Sequence, residues 1–379
     1  MLDETRGARY ERCKPYMEQQ GLDVLVAISP ENVLYFAETY IQTQTSIRER
    51  LAITVMPLAS EPAIIACKIE EPTVEAETWI SDRRYFVELQ CSPIAMLADV
   101  IKEKHLENRR IGIELNYLMA TYYQELITLL PNAEFVQCAR IFDQVRAIKE
   151  LREIKQLSYA GLNTVRAMEA AVRMSRVGDS ENDLAVRIIK NMFDNGCQAI
   201  EFMCLGSGRR SEMAHCSPSP DVRLEDGSVI HIDYGGRFNH YNSDIARGIL
   251  IGKPNEKHLD VYKRLTKCYV RGIEQLRPGA RACDIYQFTK EQFEKEKIPF
   301  TMSLVGHGLG IGVHELPMLV PSETKGLEED MMLCYELRTI VDGHRYHIED
   351  LIHITEKGCE VLSQPKLDTT MPWIQPDLF

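Results

Sequence analysis

The sequence predicts an α+β protein with two domains, at residues 1–145 and 146–379. Three observations lead to this class. Residues 1–140 alternate between apolar strand-like runs and helical periodicity, a charged amphipathic stretch follows at Phe142–Ser158, and the remainder reads as helices, strands, helices and strands again. A chain of 379 residues is long enough for two hydrophobic cores. The repeated order in the second domain indicates two similar halves, with helices against one curved antiparallel sheet.

The N-terminal domain is predicted to consist of short helices and strands. The predicted helices are Glu4–Gln20, Met96–Glu103 and Ala120–Leu130, and the predicted strands are Asp23–Ile28, Leu51–Pro57, Ala63–Cys67 and Ile111–Glu114. The sequence Ser-Pro-Glu-Asn at Ser29–Asn32 predicts a turn. This part of the chain has no cluster of metal ligands or acid–base groups, so we expect it to shape the substrate site or an oligomer interface.

The C-terminal domain begins with longer helical patterns. Phe142–Ser158 leads into a helix that continues to about Met174, and Ser180 is a suitable N-cap for a helix at Glu181–Asn195. The later elements alternate between strands and helices. They are a hairpin of Ser228–Gly235 and Ile245–Gly252, helices at Asn255–Leu276 and Ala282–Lys297, and strands and turns over Thr301–Ile354.

Composition and charge argue against several classes of protein. A formal net charge of −12 disfavours nucleic acid or an anionic membrane as the main partner. No apolar run approaches the ~20 residues that span a bilayer, and the first residues lack the apolar core of a signal peptide. The 11 cysteines are scattered without a Cys-x-x-Cys pair, as is typical of small buried residues in a reducing compartment. We therefore expect a cytoplasmic protein.

Five side chains able to bind metal lie in order between Val229 and Glu349. They are Asp233, Asp244, His307, Glu336 and Glu349. Buried charges are costly unless they are paired or coordinate cations, and two divalent cations balance the charge of four carboxylates. An oxygen-rich set with one imidazole favours Mn(II), with Zn(II), Co(II) or Fe(II) as alternatives. Because two such ions activate water and clamp a scissile bond, the order predicts a two-metal hydrolase.

The local contexts of the first three ligands support this prediction. Asp233 lies in VIHIDYGG and Asp244 follows eleven residues later in YNSDIAR, so the two arms of a hairpin can turn both carboxylates to one face. His307 lies among glycines in GHGLGIGVHELP, with His314 seven residues further on. A glycine-rich stretch leaves space beside the backbone, and a bulge or turn must bring both histidines to the site.

Each of the two glutamates interrupts an apolar strand. Glu336 lies in LCYELRT and Glu349 in YHIEDLIHI. Glutamate is uncommon in such a buried context unless it has a partner, which favours a ligand role for both. The neighbouring Asp350 is expected to point to the opposite face of its strand.

With these motifs in place, the chain resembles the creatinase/prolidase/aminopeptidase P family. The likeness rests on IDYGG…NSDIAR, GHGLG…HELP, the later strand glutamate and IED…ITEKG, and it extends to Ser29–Tyr35 and to VRAIKELREIKQL. It implies a C-terminal domain with the pita-bread fold, which is a curved antiparallel sheet with helices in pseudo-twofold halves. A smaller α/β creatinase-like domain would precede it.

The resemblance also implies a role for each metal ligand. Asp233 would bind one of two divalent metal ions, Asp244 and Glu349 would bridge both, and His307 and Glu336 would complete the second. Mn²⁺ is the expected metal, with Zn²⁺, Co²⁺ or Fe²⁺ as alternatives.

Two further residues match active-site positions of the family. His314 matches the histidine that contacts the substrate and stabilises the tetrahedral intermediate. His215, in SEMAHCSPSP, matches an upstream active-site histidine. A ligand carboxylate, Glu336 or Glu349, is expected to accept the proton of the attacking water and pass it to the leaving nitrogen.

Two departures from the family pattern concern substrate recognition. Glu336 is followed by Leu-Arg rather than Pro-Gly, and His347 stands where the proline-specific members commonly have arginine. Histidine does not reproduce the bidentate contact of arginine with a carboxylate. Arg345 or Arg338 are candidates to replace it, and Arg345 and His347 are the predicted substrate-binding residues.

The leading prediction is an Xaa-Pro dipeptidase or aminopeptidase. The alternative, motivated by His347 and the Glu336-Leu-Arg context, is a creatinase-like hydrolase or lyase that acts on a small non-peptide molecule. A non-catalytic peptide-binding module is a third interpretation, which the intact ligand set disfavours. The expected partners are a dipeptide or other small substrate and a second copy of the chain in a homodimer, with no nucleic acid and no membrane.

Overall fold

The computed structural model describes residues 7–253, 255–364 and 367–375. The chain divides into two compact units, Met1–Val145 and Arg146–Phe379. Within the described ranges, no helix combines the length and the apolar composition that crossing a lipid bilayer requires. Glu4–Arg6, the start of the first predicted helix, lies outside the described residues.

The first unit is built on a six-stranded mixed sheet. Its strands are β1 (Val24–Ala27), β2 (Ile53–Pro57), β3 (Ala63–Cys67), β4 (Asp82–Phe86), β5 (Arg110–Ile113) and β6 (Glu134–Gln137), in the order β4-β3-β2-β1-β5-β6. The pairs β1–β2 and β2–β3 are antiparallel, and β3–β4, β1–β5 and β5–β6 are parallel. The edge strands β4 and β6 were missed from sequence because their polar, partly exposed residues lack an apolar run.

Short helices pack on both faces of this sheet. They are α1 (Ala8–Glu11), α2 (Lys14–Gln20), α3 (Pro30–Ala37), α4 (Gln42–Ser46), α5 (Glu71–Glu77), α6 (Pro93–Glu103) and α7 (Ala120–Leu129), while α8 (Ala139–Ala147) ends just past the boundary of the unit. Side chains alternate along β3, so Ile65 packs with α6 on one face and Ile64 packs with α3 and α5 on the other.

The turn predicted at Ser29–Asn32 is wrong, because this segment begins helix α3. The Ser29 hydroxyl accepts a hydrogen bond from the Asn32 amide, and Pro30 occupies the first helical position. Serine followed by proline satisfies the requirements of an N-cap as well as those of a turn. The buried Glu114 carboxylate selects the N-cap, since it accepts backbone hydrogen bonds from Ile28 at 2.5 Å and Ser29 at 2.9 Å.

The second unit contains a ten-stranded sheet. Its strands are β7 (Ala199–Ser207), β8 (Val229–Phe238), β9 (Tyr241–Asn242), β10 (Ile245–Ile251), β11 (Gly306–Gly308), β12 (Glu315–Met318), β13 (Met332–Val341), β14 (His344–Thr355), β15 (Gly358–Val361) and β16 (Trp373–Ile374). The main path is β12-β11-β13-β14-β10-β8-β7, and each neighbouring pair along it is antiparallel.

Four α-helices in the described part of this unit accompany the sheet, and helices and strands follow each other in the same order twice. They are α9 (Leu151–Met174), α10 (Glu181–Asp194), α11 (Glu256–Ile273) and α12 (Ala282–Glu296). Helices α9 and α10 precede β7, β8 and β10, and helices α11 and α12 precede β11 to β14. The helices predicted for this unit, the hairpin of β8 and β10 and the α+β class are therefore confirmed, with element ends shifted by a few residues. The single helix predicted at Glu4–Gln20 is divided into α1 and α2 within the described residues.

The alternation of side chains along β8 separates the core from the site. Ile230, Ile232 and Tyr234 are buried against α9 and α10, whereas His231 and Asp233 lie on the opposite face of the strand. One face of the sheet thus packs against helices, and the other carries polar residues.

Candidate metal centre and active site

The polar face of this sheet lines a cavity of about 320 Å³ within the second unit. All the side chains that the sequence predicts for the site line this cavity. They are His215, Asp233, Asp244, His307, His314, Glu336, Arg345, His347 and Glu349. Residues separated by up to 134 positions along the chain are therefore brought together.

Strand register places the acidic residues. Glu336 and Glu349 are directly opposite each other on β13 and β14, so their side chains share one face. Asp233 on β8 is opposite Ala246 on β10, and Asp244 lies immediately before β10. The predicted hairpin therefore does bring both aspartates to the same cavity.

His307 presents one nitrogen to three carboxylates. Its Nδ1 contacts the Gly308 carbonyl at 3.0 Å and donates to it, which leaves Nε2 as a lone-pair donor in the neutral ring. Nε2 lies 3.6 Å from Asp244 Oδ2, 3.9 Å from Glu336 Oε1 and 3.7 Å from Glu349 Oε1. A lone pair that faces three anionic groups is an arrangement suited to a shared cation.

The two aspartates are strongly destabilised as anions in the absence of cations. Burial, followed by the Glu349 charge, raises the pKa of Asp233 and of Asp244 well above the usual range. Asp244 Oδ1 and Glu349 Oε1 are inaccessible and accept no hydrogen bond from the described residues. Buried polar atoms are rarely left unpaired, so the donor set fits bound cations, whose charge would offset the repulsion.

Glu336 differs from the aspartates because basic side chains flank it. Burial alone would raise its pKa, but His347, Arg338 and His307 together lower it to about 2. His347 Nε2 lies 3.3 Å from Glu336 Oε2, and Arg338 forms an ion pair with the same oxygen. Glu336 is therefore ionised at neutral pH.

The two predicted catalytic histidines line the cavity from loops. The His314 ring is stacked on His307 with 4.0 Å between ring centroids, and burial followed by the neighbouring His307 lowers its pKa. His215 lies in the segment between β7 and β8 and is solvent-exposed. The glycine-rich segment and the β-bulge at His307–Gly308 bring His307 and His314 together, as the sequence required.

Arg345 and His347 line the cavity from β14. Arg345 lies two residues before His347 on β14 and donates from Nη2 to the Glu212 carbonyl at 2.8 Å. Its Nε is buried without a hydrogen-bond partner in the described part of the chain. Arg338 lies directly opposite His347 in the register and lines the same cavity.

Two buried residues at the site lie outside the predicted set of site residues. His231 Nε2 lies 3.2 Å from His347 Nδ1, and the two rings are stacked with 21° between their planes. Cys334 groups with Asp244, His307 and Glu349 so that one ligand atom from each lies within 4.8 Å of the others. Each precedes a predicted ligand by two positions. Side chains two positions apart on a strand lie on the same face, so this spacing could have identified both residues from sequence.

Comparisons with known proteins agree with this geometry. The chain matches the model of metallopeptidase family M24 over residues 155–356 and that of the creatinase/prolidase N-terminal domain over residues 9–148. An Xaa-Pro dipeptidase of Pyrococcus furiosus is 27% identical over 367 residues, which cover 94% of this chain and 97% of that protein. An Xaa-Pro dipeptidase of Pyrococcus horikoshii is 31% identical over 262 residues, covering 68% of this chain and 73% of that protein.

Solved structures share the fold. The crystal structure of the prolidase from Pyrococcus horikoshii OT3 matches with a TM-score of 0.83 at 24% identity, covering 96% of this chain and 99% of that one. The pita-bread fold that the sequence resemblance implied is therefore confirmed.

The fold and the buried ligand cluster define a metal-dependent hydrolase. The chain belongs to metallopeptidase family M24. The family implies divalent metal ions, for which the cluster of carboxylates and His307 supplies potential ligands. Relatives named as Xaa-Pro dipeptidases do not favour the alternative of a small non-peptide substrate.

Proposed function

We propose that this chain hydrolyses the bond between an amino acid and proline, as an Xaa-Pro dipeptidase or aminopeptidase. The observation that carries the proposal is the grouping of Asp244, Glu336 and Glu349 around Nε2 of His307. The similarity to Xaa-Pro dipeptidases over nearly the whole chain supports the substrate class.

The proposed centre contains two divalent cations, with Mn²⁺ as the first choice. Its ligands are Asp233, Asp244, His307, Glu336 and Glu349. Four carboxylates and one imidazole suit hard or borderline metals such as Mn²⁺, Zn²⁺, Co²⁺ or Fe²⁺. Bound cations of this kind polarise a scissile carbonyl and lower the pKa of a bound water.

Glu336 and His314 are proposed to act on the reacting atoms. Glu336 lines the cavity as an ionised carboxylate, and we assign it to accept the proton of the attacking water and to transfer it to the leaving nitrogen. His314 is neutral at that pH because its pKa is lowered, and its remaining N–H donates to the substrate oxygen on which negative charge develops.

Three residues are proposed to bind the substrate. Arg345 Nε lies beside the cavity without a hydrogen-bond partner among the described residues, and its guanidinium suits the terminal carboxylate of a dipeptide. His347 lies between Arg345 and the metal ligands along β14 and is positioned to contact the same end of the substrate. His215 borders the cavity from the loop after β7.

We further propose a homodimer in the cytoplasm. The dimer rests on the family resemblance, and the cytoplasmic location is supported by the eleven free cysteines. Light scattering on the purified protein is expected to give twice the mass of one chain. A monomeric mass across the working concentration range would contradict the dimer and leave the catalytic proposal standing.

The test is proline release from a panel of Xaa-Pro dipeptides by Mn²⁺-loaded protein. Chelator-treated protein and Xaa-Ala dipeptides serve as controls. E349Q is expected to abolish release, whereas E360Q, which changes an exposed glutamate on β15, should leave it unchanged. Metal-dependent release from Xaa-Pro supports the proposal. A protein shown to hold metal that releases no proline would refute it.

A further inference from the structure

We infer that Glu181 is a positioning residue that sets substrate binding through the loop between β7 and Ser219. The inference rests on the proposed function only in assigning substrate contact to His215 and Arg345. Glu181 is the first residue of α10, lies outside the cavity and is completely buried.

One carboxylate ties together both ends of this loop. Glu181 Oε1 accepts hydrogen bonds from the Ser207 amide at 2.7 Å and the Ser207 hydroxyl at 2.9 Å, at the end of β7. Glu181 Oε2 accepts from the Ser219 amide at 3.0 Å, at the other end. Arg210, inside the loop, donates from Nε to the same carboxylate at 3.2 Å and from Nη2 to the Ser217 carbonyl at 2.8 Å.

The helix itself does not need this carboxylate as a cap. Ser180 and Asp183 already form a reciprocal capping box at the start of α10, with Asp183 N donating to Ser180 Oγ at 3.0 Å and Ser180 N donating to Asp183 Oδ2 at 2.8 Å. All the hydrogen bonds described for the Glu181 side chain go to the loop. A fully buried carboxylate is costly, and the partial positive charge of the helix N-terminus reduces that cost.

The far side of the loop forms part of the substrate site. Ser211 Oγ accepts from the Arg345 amide at 3.4 Å, and the Glu212 carbonyl accepts from Arg345 Nη2 at 2.8 Å. Ala214 and His215 line the cavity directly. The loop therefore orients Arg345 and presents His215, while the metal-ligand candidates stand on other strands and in the loop before β10, which the described hydrogen bonds of Glu181 do not reach.

This division predicts a selective defect when Glu181 is altered. In E181Q one acceptor becomes an N–H donor that faces the donors at Ser207 and Ser219, so one end of the loop is released. The KM for the substrate is expected to rise about tenfold while kcat stays within about threefold and metal content is unchanged. Amide hydrogen exchange across 207–219 should accelerate in the same protein.

The matched control is E114Q in the first unit. Glu114 is also a buried carboxylate that accepts backbone hydrogen bonds and fixes a loop, so its change tests a general loss of stability. E114Q is expected to lower the melting temperature without changing KM or the exchange of 207–219. If E181Q does not fold, E181D keeps the charge but is too short to reach both ends, and it is measured in its place.

Two results would overturn the inference. The first is a Glu181 variant whose KM and rate of amide hydrogen exchange across 207–219 equal those of the wild type. The second is an E114Q protein whose KM rises as much as that of the Glu181 variant. A negative Xaa-Pro panel refutes the proposed function instead. The exchange comparison between E181Q and E114Q needs no substrate, so in that case it decides whether Glu181 fixes the loop.

Discussion

A single hydrogen bond determines what His307 can bind. Because Nδ1 donates to the Gly308 carbonyl, the neutral ring presents the Nε2 lone pair to the carboxylates. Gly308 is required at this position, since a Cβ there would come within 2.2 Å of the Leu316 carbonyl oxygen. The glycine that follows His307 thus allows close packing between backbone segments. From sequence, the glycines were expected only to leave space beside the backbone.

Asp244 tests the proposed bridging role most directly. Its Oδ1 is buried and unpaired among the described residues, so D244A is expected to weaken metal binding by about 100-fold or more and to abolish activity with it. Metal content by emission spectroscopy and proline release are measured on the same sample, with E360Q as the control. A fully loaded and fully active D244A protein is incompatible with the assignment.

Arg345 tests recognition of the substrate carboxylate. R345M is expected to reduce kcat/KM for an Xaa-Pro dipeptide by about 10-fold to 100-fold and to leave the C-terminal amide of the same dipeptide nearly unaffected. R345K should recover only part of the loss, because lysine lacks the planar fork of arginine. An equal loss for acid and amide would assign Arg345 a structural role instead.

The residues predicted from sequence and those missed differ in a physical way. Asp233, Asp244, Glu336 and Glu349 are charged groups in apolar runs, which is a local anomaly that a single sequence reveals. The strand period places His231 on the same face as Asp233, but its contact with His347 depends on how β8 and β14 approach across the curved sheet. No local pattern contains that information.

At the level of elements, the β13–β14 hairpin arranges the cavity as a ladder. Three successive pairs on one face are Glu336–Glu349, Arg338–His347 and Ile340–Arg345. Alternate residues of a strand lie about 7 Å apart, so the hairpin leads from acidic ligands to cationic groups over a distance suited to a dipeptide. The sequence predicted these strands but not their register, which depends on the turn at residues 342–343.

A buried ion-pair cluster holds the segment that carries His314. Glu315 lies next to it on β12 and accepts from Arg146 and Lys149, each at 3.1 Å, and from the Gly312 amide at 2.9 Å. Burial alone would raise the pKa of Glu315, but Lys149 and Arg146 lower it. The pKa of Glu315 is lower in the folded state than in the unfolded state. Its contribution to stability is therefore complete at pH values above the pKa of the unfolded state, and it is lost as pH falls through the pKa of the folded state.

E315Q is therefore expected to destabilise the second unit in a pH-dependent manner. Removing one partner of a buried ion pair lowers the free energy of unfolding by about 3–5 kcal/mol. The difference in free energy of unfolding between wild type and E315Q should have this size at about pH 7 and become smaller below about pH 4. Calorimetric melting of chelator-treated protein at both pH values measures it. E134Q, in an exposed pair with Arg110, should show little change at either pH. A difference between E315Q and wild type that is independent of pH would contradict the cause given.

At the level of the whole molecule, the order of elements was predicted better than their ends or pairings. The repeated helix–strand pattern of residues 146–379 reflects amphipathic periodicity, which is local, and the α+β class follows from it. The short helix α3 was missed because the Glu114 carboxylate, from a distant part of the chain, stabilises the N-cap conformation of Ser29. Contacts between distant segments decide such cases.

The metal ions are expected to stabilise the second unit, and more strongly as pH rises. Without cations, burial and neighbouring carboxylates raise the pKa of Asp233 and Asp244, so the folded chain binds more protons than the unfolded chain and loses stability as pH increases. Bound cations keep these groups ionised and remove that loss. The difference in melting temperature between metal-loaded and chelator-treated protein should therefore increase from about pH 6 to about pH 8.

Comparing the two forms cancels the titration of histidines remote from the centre, such as His258. D244N, which has one carboxylate fewer, should show a smaller widening, and a difference that stays constant with pH would show that protons and metal do not compete for these aspartates.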